Sequence, residues 1–267
     1  MKLKKYFKKK NYLMQLLFTI AGFCCIPLII MQLIMMEQSA KGYSRMNEEN
    51  IYENLAGSTE WFLRQVEDMS TVAMKISQDT IIRKAAKEDC SPYGIYEAHN
   101  RIDEYSNDQY SVGVWFDAND NVLFHQVNIT PKRLYEILGG ANQGSRDAMK
   151  VFFEEKEFTR IISTAEYEEG KNSVIVVAKP VSFLSVVEKD AQVFFVMEQT
   201  VVEKEFLARF HDCSGVALLG PEGKFLVRGK DFTIKLCEEP DFQKFMAEEG
   251  QRTYITSNGE ENICIYK

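Results

Sequence analysis

From Leu13 to Met36 the chain runs for 24 residues without one charged side chain, behind six lysines in its first ten residues (Lys2, Lys4, Lys5, Lys8, Lys9 and Lys10). At about 1.5 Å of rise per residue such a run covers roughly 36 Å as a helix, enough to cross a hydrocarbon layer of about 30 Å with some tilt. Pro27 lies inside it and is tolerated in a membrane helix as a kink. A cleaved signal peptide shares the basic start, but its apolar core is shorter, about 7–15 residues. With no polar face on the run, a core helix of a soluble domain is disfavoured. The expectation is an uncleaved signal-anchor, its lysine end cytoplasmic and residues 37–267 extracytoplasmic.

All 39 acidic residues lie beyond Met36, with 26 of the 32 basic ones, so the part following the run carries a net charge of −13. Such a surface repels phosphate backbones, which argues against a nucleic-acid partner for this segment. Cys24 and Cys25 fall within the apolar run. Cys90, Cys213, Cys237 and Cys264 follow at spacings of 123, 24 and 27 residues, which match neither a compact disulfide scaffold nor a zinc site. Buried free thiols are expected, with Cys237–Cys264 or Cys213–Cys237 the pairing if a bridge forms.

Beyond the run, Ile51, Leu55, Phe62, Val66, Met69, Ala73 and Ile76 recur mostly three or four residues apart, the stripe of one long helix lining a folded domain. The same stripe leaves open a homodimer through the long helix. Asp79 is placed to cap a short turn over residues 80–87. Ser91-Pro92 breaks the chain before a helix over 93–105. The period then changes to two, with strands over 111–116 and 122–124 about a turn at Asp117–Asn121. Thr130-Pro131 opens a helix to Leu138, 139–145 is a loop, and 146–156 a further helix. Strands over 173–180 and 192–197 lead to a helix over 198–210. A second strand–turn–strand follows, 216–219 and 224–227 about Gly220-Pro-Glu-Gly223. A helix over 241–248 and strands over 253–256 and 262–266, joined at Asn258-Gly259, complete the reading. Shifted by 103 residues, the first hairpin overlies the second, which suggests two tandem modules.

This order of features resembles the double-Cache (dCache) extracellular sensor of a membrane-bound bacterial regulator, of the AraC-type or histidine-kinase kind. The phrases that carry it are "VAMKISQDTIIRKAA", "SVIVVAKPVSFL" followed by "AQVFFVMEQTVVEKEFL", and "GVALLGPEGKFLV". The resemblance implies an α+β fold of two PAS-like modules with antiparallel sheets, the second incomplete at Lys267. It further implies a basic tail over 1–12, a transmembrane signal-anchor over 13–36 and a stalk or lining helix over 37–87. A membrane-distal module over 88–210 and a membrane-proximal one over 211–267 follow. The Tyr, Arg, Trp-Tyr and Asp pattern of amino-acid-binding dCache sensors is not placed on this chain.

Motifs for chemistry fail at the positions that matter. Asp117, Asn119 and Asn121 suit positions 1, 3 and 5 of a calcium loop, but Val122 stands where the sharp turn needs Gly and Asn128 where the bidentate Glu belongs. Gly139-x₄-Gly144-Ser145 lacks the phosphate-binding lysine of a P-loop. Asn128-Ile-Thr130 is a formal glycosylation sequon followed by Pro131. His99, His125 and His211 are scattered singly, so no metal site, cofactor or catalytic residue is expected. The expected ligand-binding set lies on the strand face opposite Val112, Val114 and Phe116. It consists of Trp115 as an aromatic plate, Asp117, and Gly113 permitting close approach, with Tyr110, His125 and Lys179 as neighbours. The competing expectation packs Trp115 under a helix and leaves Asp117 to begin the turn. Functionally, the chain reads as a small-molecule sensing domain signalling through its long helix to an output domain absent here. The alternative is a membrane-anchored envelope protein that binds or supports without signalling.

Overall fold

A computed structural model describes the backbone from residue 2 onward except 88–89, 118–119, 126, 155–157, 165–173, 185–189, 211–215, 220–224, 229–251, 258–259 and 266–267. Side chains are described for Met14 and, within those stretches, from Ile26 to Val227 apart from 203, 207, 219 and 225. The expected helix over 241–248 and Cys213, Cys237 and His211 therefore lie outside the described residues, as do the side chains of Cys24, Cys25 and Cys264. Two compact units emerge, Met1–Glu53 and Asn54–Lys267.

In the first unit the chain is helical throughout, as part of α1 (Lys2–Gln78), with Pro27 inside the helix. Every large apolar side chain from Ile26 to Met36 is 50–70 % exposed. These eleven consecutive residues make about three turns and so cover every side of the helix. Charged partners then take over along the surface, with Lys41 bonded to Glu37 at 2.8 Å and Arg45 to Glu49 at 3.2 Å. No helical stretch among the described side chains is long and apolar enough to cross a membrane; Leu13 and residues 15–25 of the apolar run are outside that set.

In the second unit the C-terminal part of α1 lines a six-stranded antiparallel sheet of order β3-β2-β1-β6-β5-β4. Its strands are β1 (Ser111–Phe116), β2 (Asn121–Phe124), β3 (Val127–Ile129), β4 (Arg160–Ser163), β5 (Val174–Val181) and β6 (Ala191–Glu198). The fold class is thus α+β, with a long N-terminal helix and an antiparallel sheet, as the residue pattern indicates. The short edge strands β3 and β4 escape the sequence reading, because three or four residues beside polar connections give no period to count. Alternation along β1 and β6 sends Val112, Val114, Phe116, Val193, Phe195 and Met197 to one side. There they meet Phe62, Met69, Ala73 and Ile76 of α1, with Ile82 and Ala85 of α2 (Thr80–Ala85) and Ala98 and Ile102 of α3 (Pro92–Asp103).

The second sheet face is also covered. Leu134 and Leu138 of α4 (Pro131–Leu138) and Met149, Phe152 and Phe153 of α5 (Gln143–Glu154) close over Trp115, Val122, Phe124, Val176, Phe194 and Val196. Helix starts follow local chemistry. Asp79, Ser91 and Thr130 cap α2, α3 and α4 through their side-chain oxygens, and Pro92 and Pro131 stand in the first turns of α3 and α4. The expected stalk to residue 87 divides here, because α1 ends at Gln78 and Asp79 starts a new helix.

After β6, α6 (Gln199–Glu205) and a single 3₁₀ turn, Leu207–Arg209, lead to β7 (Ala217–Leu219) and β8 (Phe225–Arg228), an antiparallel pair with a register shift at Leu218/Leu219. Strands β9 (Arg252–Ser257) and β10 (Glu260–Ile265) form a second pair, Ser257 facing Glu260 across two residues, the geometry that Asn258-Gly259 suits. Among the described residues these remain two separate two-stranded sheets. Leu226 and Val227 of β8 are buried in the same core as α1 and β5.

Candidate functional site

Trp115 is fixed by its strand. Opposite Val122 on β2 and Gln192 on β6, it points to the α4–α5 side and is 5 % exposed. Its ring lies 5.6 Å from Phe153 and 6.2 Å from Tyr135, and Phe153 stands edge-on to Phe194 at 5.3 Å. The indole N–H donates to Asp120 Oδ1 at 3.0 Å. Asp120 reaches it from a backbone at φ 50°, a left-handed conformation that Asp tolerates better than most residues. Burial, with Glu154 and Asp120 nearby, pushes the Tyr135 hydroxyl up to about 12, so it stays protonated in this aromatic cluster at neutral pH.

Gly113 does permit a close approach, and Phe194 makes it. A Cβ at this glycine would meet the Phe194 ring at 2.2–2.8 Å. The aromatic plate and the bare backbone expected to receive a ligand are both covered by the protein's own rings.

The other four expected site residues are dispersed. Tyr110 is buried on the α1 side, stacked edge-on against Phe195 at 5.3 Å, and donates its hydroxyl to Asp68 of α1 at 2.6 Å. Burial and the Asp68 carboxylate both raise the pKa of that hydroxyl. Lys179, paired with Val193, lies on the same side as Tyr110 and opposite to Trp115. Asp117 begins the β1–β2 turn, its amide donating to Asp190 O at 3.0 Å. His125 is exposed in the β2–β3 turn at φ 49°, its ring centroid 3.8 Å from that of Phe124. The sheet separates Trp115 from Tyr110 and Lys179, so the five do not share one pocket.

A polar constellation that the sequence reading saw only in part sits where α2 meets α3. The Asp79 carboxylate accepts from the amides of Ile81 and Ile82 at 2.9 and 3.4 Å, from Arg101 Nε at 2.8 Å and from the Tyr105 hydroxyl at 3.2 Å. The Arg101 guanidinium also bonds Glu104 and lies over the Tyr105 ring at 5.6 Å. Burial alone would raise the Asp79 carboxyl, but Arg101, the two amides and Tyr105 together outweigh it and hold the pKa below the usual carboxylate value. Capping marks Asp79 in the sequence; nothing in the spacing marks Arg101, 22 residues on, as its partner. With its oxygens engaged by four donors, this carboxylate is a structural clamp between two helices.

A second carboxylate clamp closes the β5–β6 connection, where Asp190 accepts from the amides of Phe183 and Leu184 at 2.6 and 2.5 Å. Between β5, α6 and β8 lies a recess lined by Val174, Ile175, Val202, Leu226 and Val227 with Ser163 and Gln199, without room for a water molecule. Small-molecule sites run to roughly 300–1,000 Å³. Among the described residues no group of three or more His, Cys, Asp or Glu side chains could hold a metal ion. Cys90 carries a free thiol. Compared with known proteins, the chain matches no family model and no curated protein.

Proposed function

We propose that this chain is a membrane-anchored, non-catalytic extracytoplasmic sensing domain of a signal-transduction or transcription regulator, with α1 joining the anchor to the folded unit. One observation carries the reading: α1 exposes an apolar surface on every side over Ile26–Met36, yet farther along it supplies Phe62, Met69, Ala73 and Ile76 to the core. An apolar helix bare on all sides finds a favourable environment in lipid, and the lysines before it orient that end toward the cytoplasm. A helix that is both anchor and core wall would carry a rearrangement of the core to the membrane. The finer parts of the reading are two tandem Cache-like modules, a small-molecule ligand, a homodimer through α1 and no nucleic-acid contact by this segment. The ligand would have to favour one packing of α1 over another to signal.

One observation favours the second reading, an envelope binding or structural protein without signalling output. Phe194, Phe153 and Trp115 fill the sheet face on which a ligand was expected. Thermal-shift screening of the full chain in detergent micelles separates the two. A ligand that raises the midpoint and changes the spacing of spin labels on exposed α1 positions supports the sensor. Saturating binding that leaves α1 distances unchanged supports the second reading. Quantitative recovery of the chain in the soluble fraction of the cell, without detergent, would overturn the anchor.

A further inference from the structure

We propose that His99 makes the seating of α3 on the sheet sensitive to pH, the helix packing fully only while its imidazole is neutral. The inference holds whether or not a small molecule binds. His99 sits between Ala98 and Ile102 on the inward face of α3 and is 5 % exposed, and its Nε2 is enclosed without a hydrogen-bond partner. A proton added there would place an N–H with no acceptor, and a charge, in an apolar interface, and each is costly.

The surroundings offer little compensation. α3 packs on α2, β1 and β2. The two strands, Ser111–Phe116 and Asn121–Phe124, contain no titratable side chain. α2 brings Arg83, whose Nε donates to Phe183 O, and Lys84, a second cation. On α3 itself Arg101 is held by Asp79 and Glu104. Asp103, one turn on, favours the imidazolium, but burial opposes it more strongly and the pKa of His99 falls below its ordinary value.

The far side of α3 does not follow the same titration. Asp79, its pKa lowered, and Arg101, its pKa raised, keep their charges through mild acid. Acidification would thus loosen the core-facing side of α3 while the clamp holds its other side, a local opening rather than global unfolding. An opened state with an ordinary imidazole titrates near 6.5. Between that value and the lower folded one, the opening equilibrium rises by up to about tenfold per pH unit as pH falls.

Hydrogen exchange on the full chain in detergent micelles, corrected for intrinsic rates, reads this directly. On going from pH 7.5 to 5.5 the α3 amides are expected to open several-fold more often, with a smaller change in α4 and α5, and His99→Phe should remove the excess. No excess in the wild type, or the same excess in the variant, would overturn the proposal. Should the variant fail to fold, NMR titration of ¹³C-labelled histidine in the wild type decides, with His125→Gln and His211→Gln assigning the other two signals. An imidazole titrating below 6.5 supports it; one at or above 6.5 sinks it.

Discussion

Gly113 shows how a single residue turns from a site into a packing device. Its value lies in space rather than in an unusual backbone angle, because the Phe194 ring lies where its Cβ would be. Gly113→Ala should cost about 1–3 kcal/mol, an overpacking penalty read as a lower urea midpoint at unchanged slope. Trp115→Ala removes the centre of the α4–α5 cluster and should cost about 3–5 kcal/mol; a near-neutral midpoint would contradict the packing seen here. Such a loss also means that the variant cannot serve alone as a ligand-binding test. Two ionisable groups make acid unfavourable for different reasons. Asp79 has a depressed folded pKa, so its contribution is present above the unfolded value of about 3.9 and is lost as pH falls through the folded one. His99 is depressed by burial, so its loss begins higher, as pH falls through about 6.5, where the unfolded chain takes up the proton. Unfolding midpoints from pH 8 to 3 should therefore decline in two steps, with the upper step absent in His99→Phe.

At the scale of elements, the corner between α2 and α3 depends on one carboxylate serving as helix cap and ion-pair partner together. Asp79→Ala removes the cap and leaves Arg101 without this partner. Losing the cap costs about 1 kcal/mol and losing the charged hydrogen bond about 1.5–3. Shared solvent exposure of Arg101, whose side chain is 42 % exposed, lowers the second figure. A total near 2 kcal/mol is expected, and protection of the α2 and α3 amides should fall before that of β1 and β6. Helices α3 and α4 were legible because Ser91-Pro92 and Thr130-Pro131 write their own starts, and β1 because Val112, Val114 and Phe116 fall at every second position. Strand β4, by contrast, exists because β5 pairs with it, register Arg160 to Ala178 through Ser163 to Ile175.

Across the Asn54–Lys267 unit, core packing continues past residue 210, where the second module is expected to begin. Leu226 and Val227 of β8 are buried with Ile175 of β5 and Val202 of α6. Leu226→Ala should cost about 2–5 kcal/mol and lower the stability of the six-stranded sheet, measured as faster exchange at β5 and β6 amides. Two independent transitions, with the β5–β6 amides untouched, would show that the hairpin folds apart from the sheet.

The sequence by itself determined the long helix with its apolar first part, the capped starts of α2, α3 and α4, the antiparallel hairpins and the failure of the calcium-loop and P-loop motifs. Each is local: a run of uncharged residues, a capping oxygen, a period of two, a missing ligand at a fixed offset. Tertiary structure alone decided what Trp115 and Gly113 are for, that Tyr110 and Lys179 lie across the sheet from Trp115, that Asp79 meets Arg101, and that His99 is buried with an unsatisfied nitrogen. These depend on which elements cover each face of the sheet, and the alternation that splits a strand into two faces does not say what packs on either.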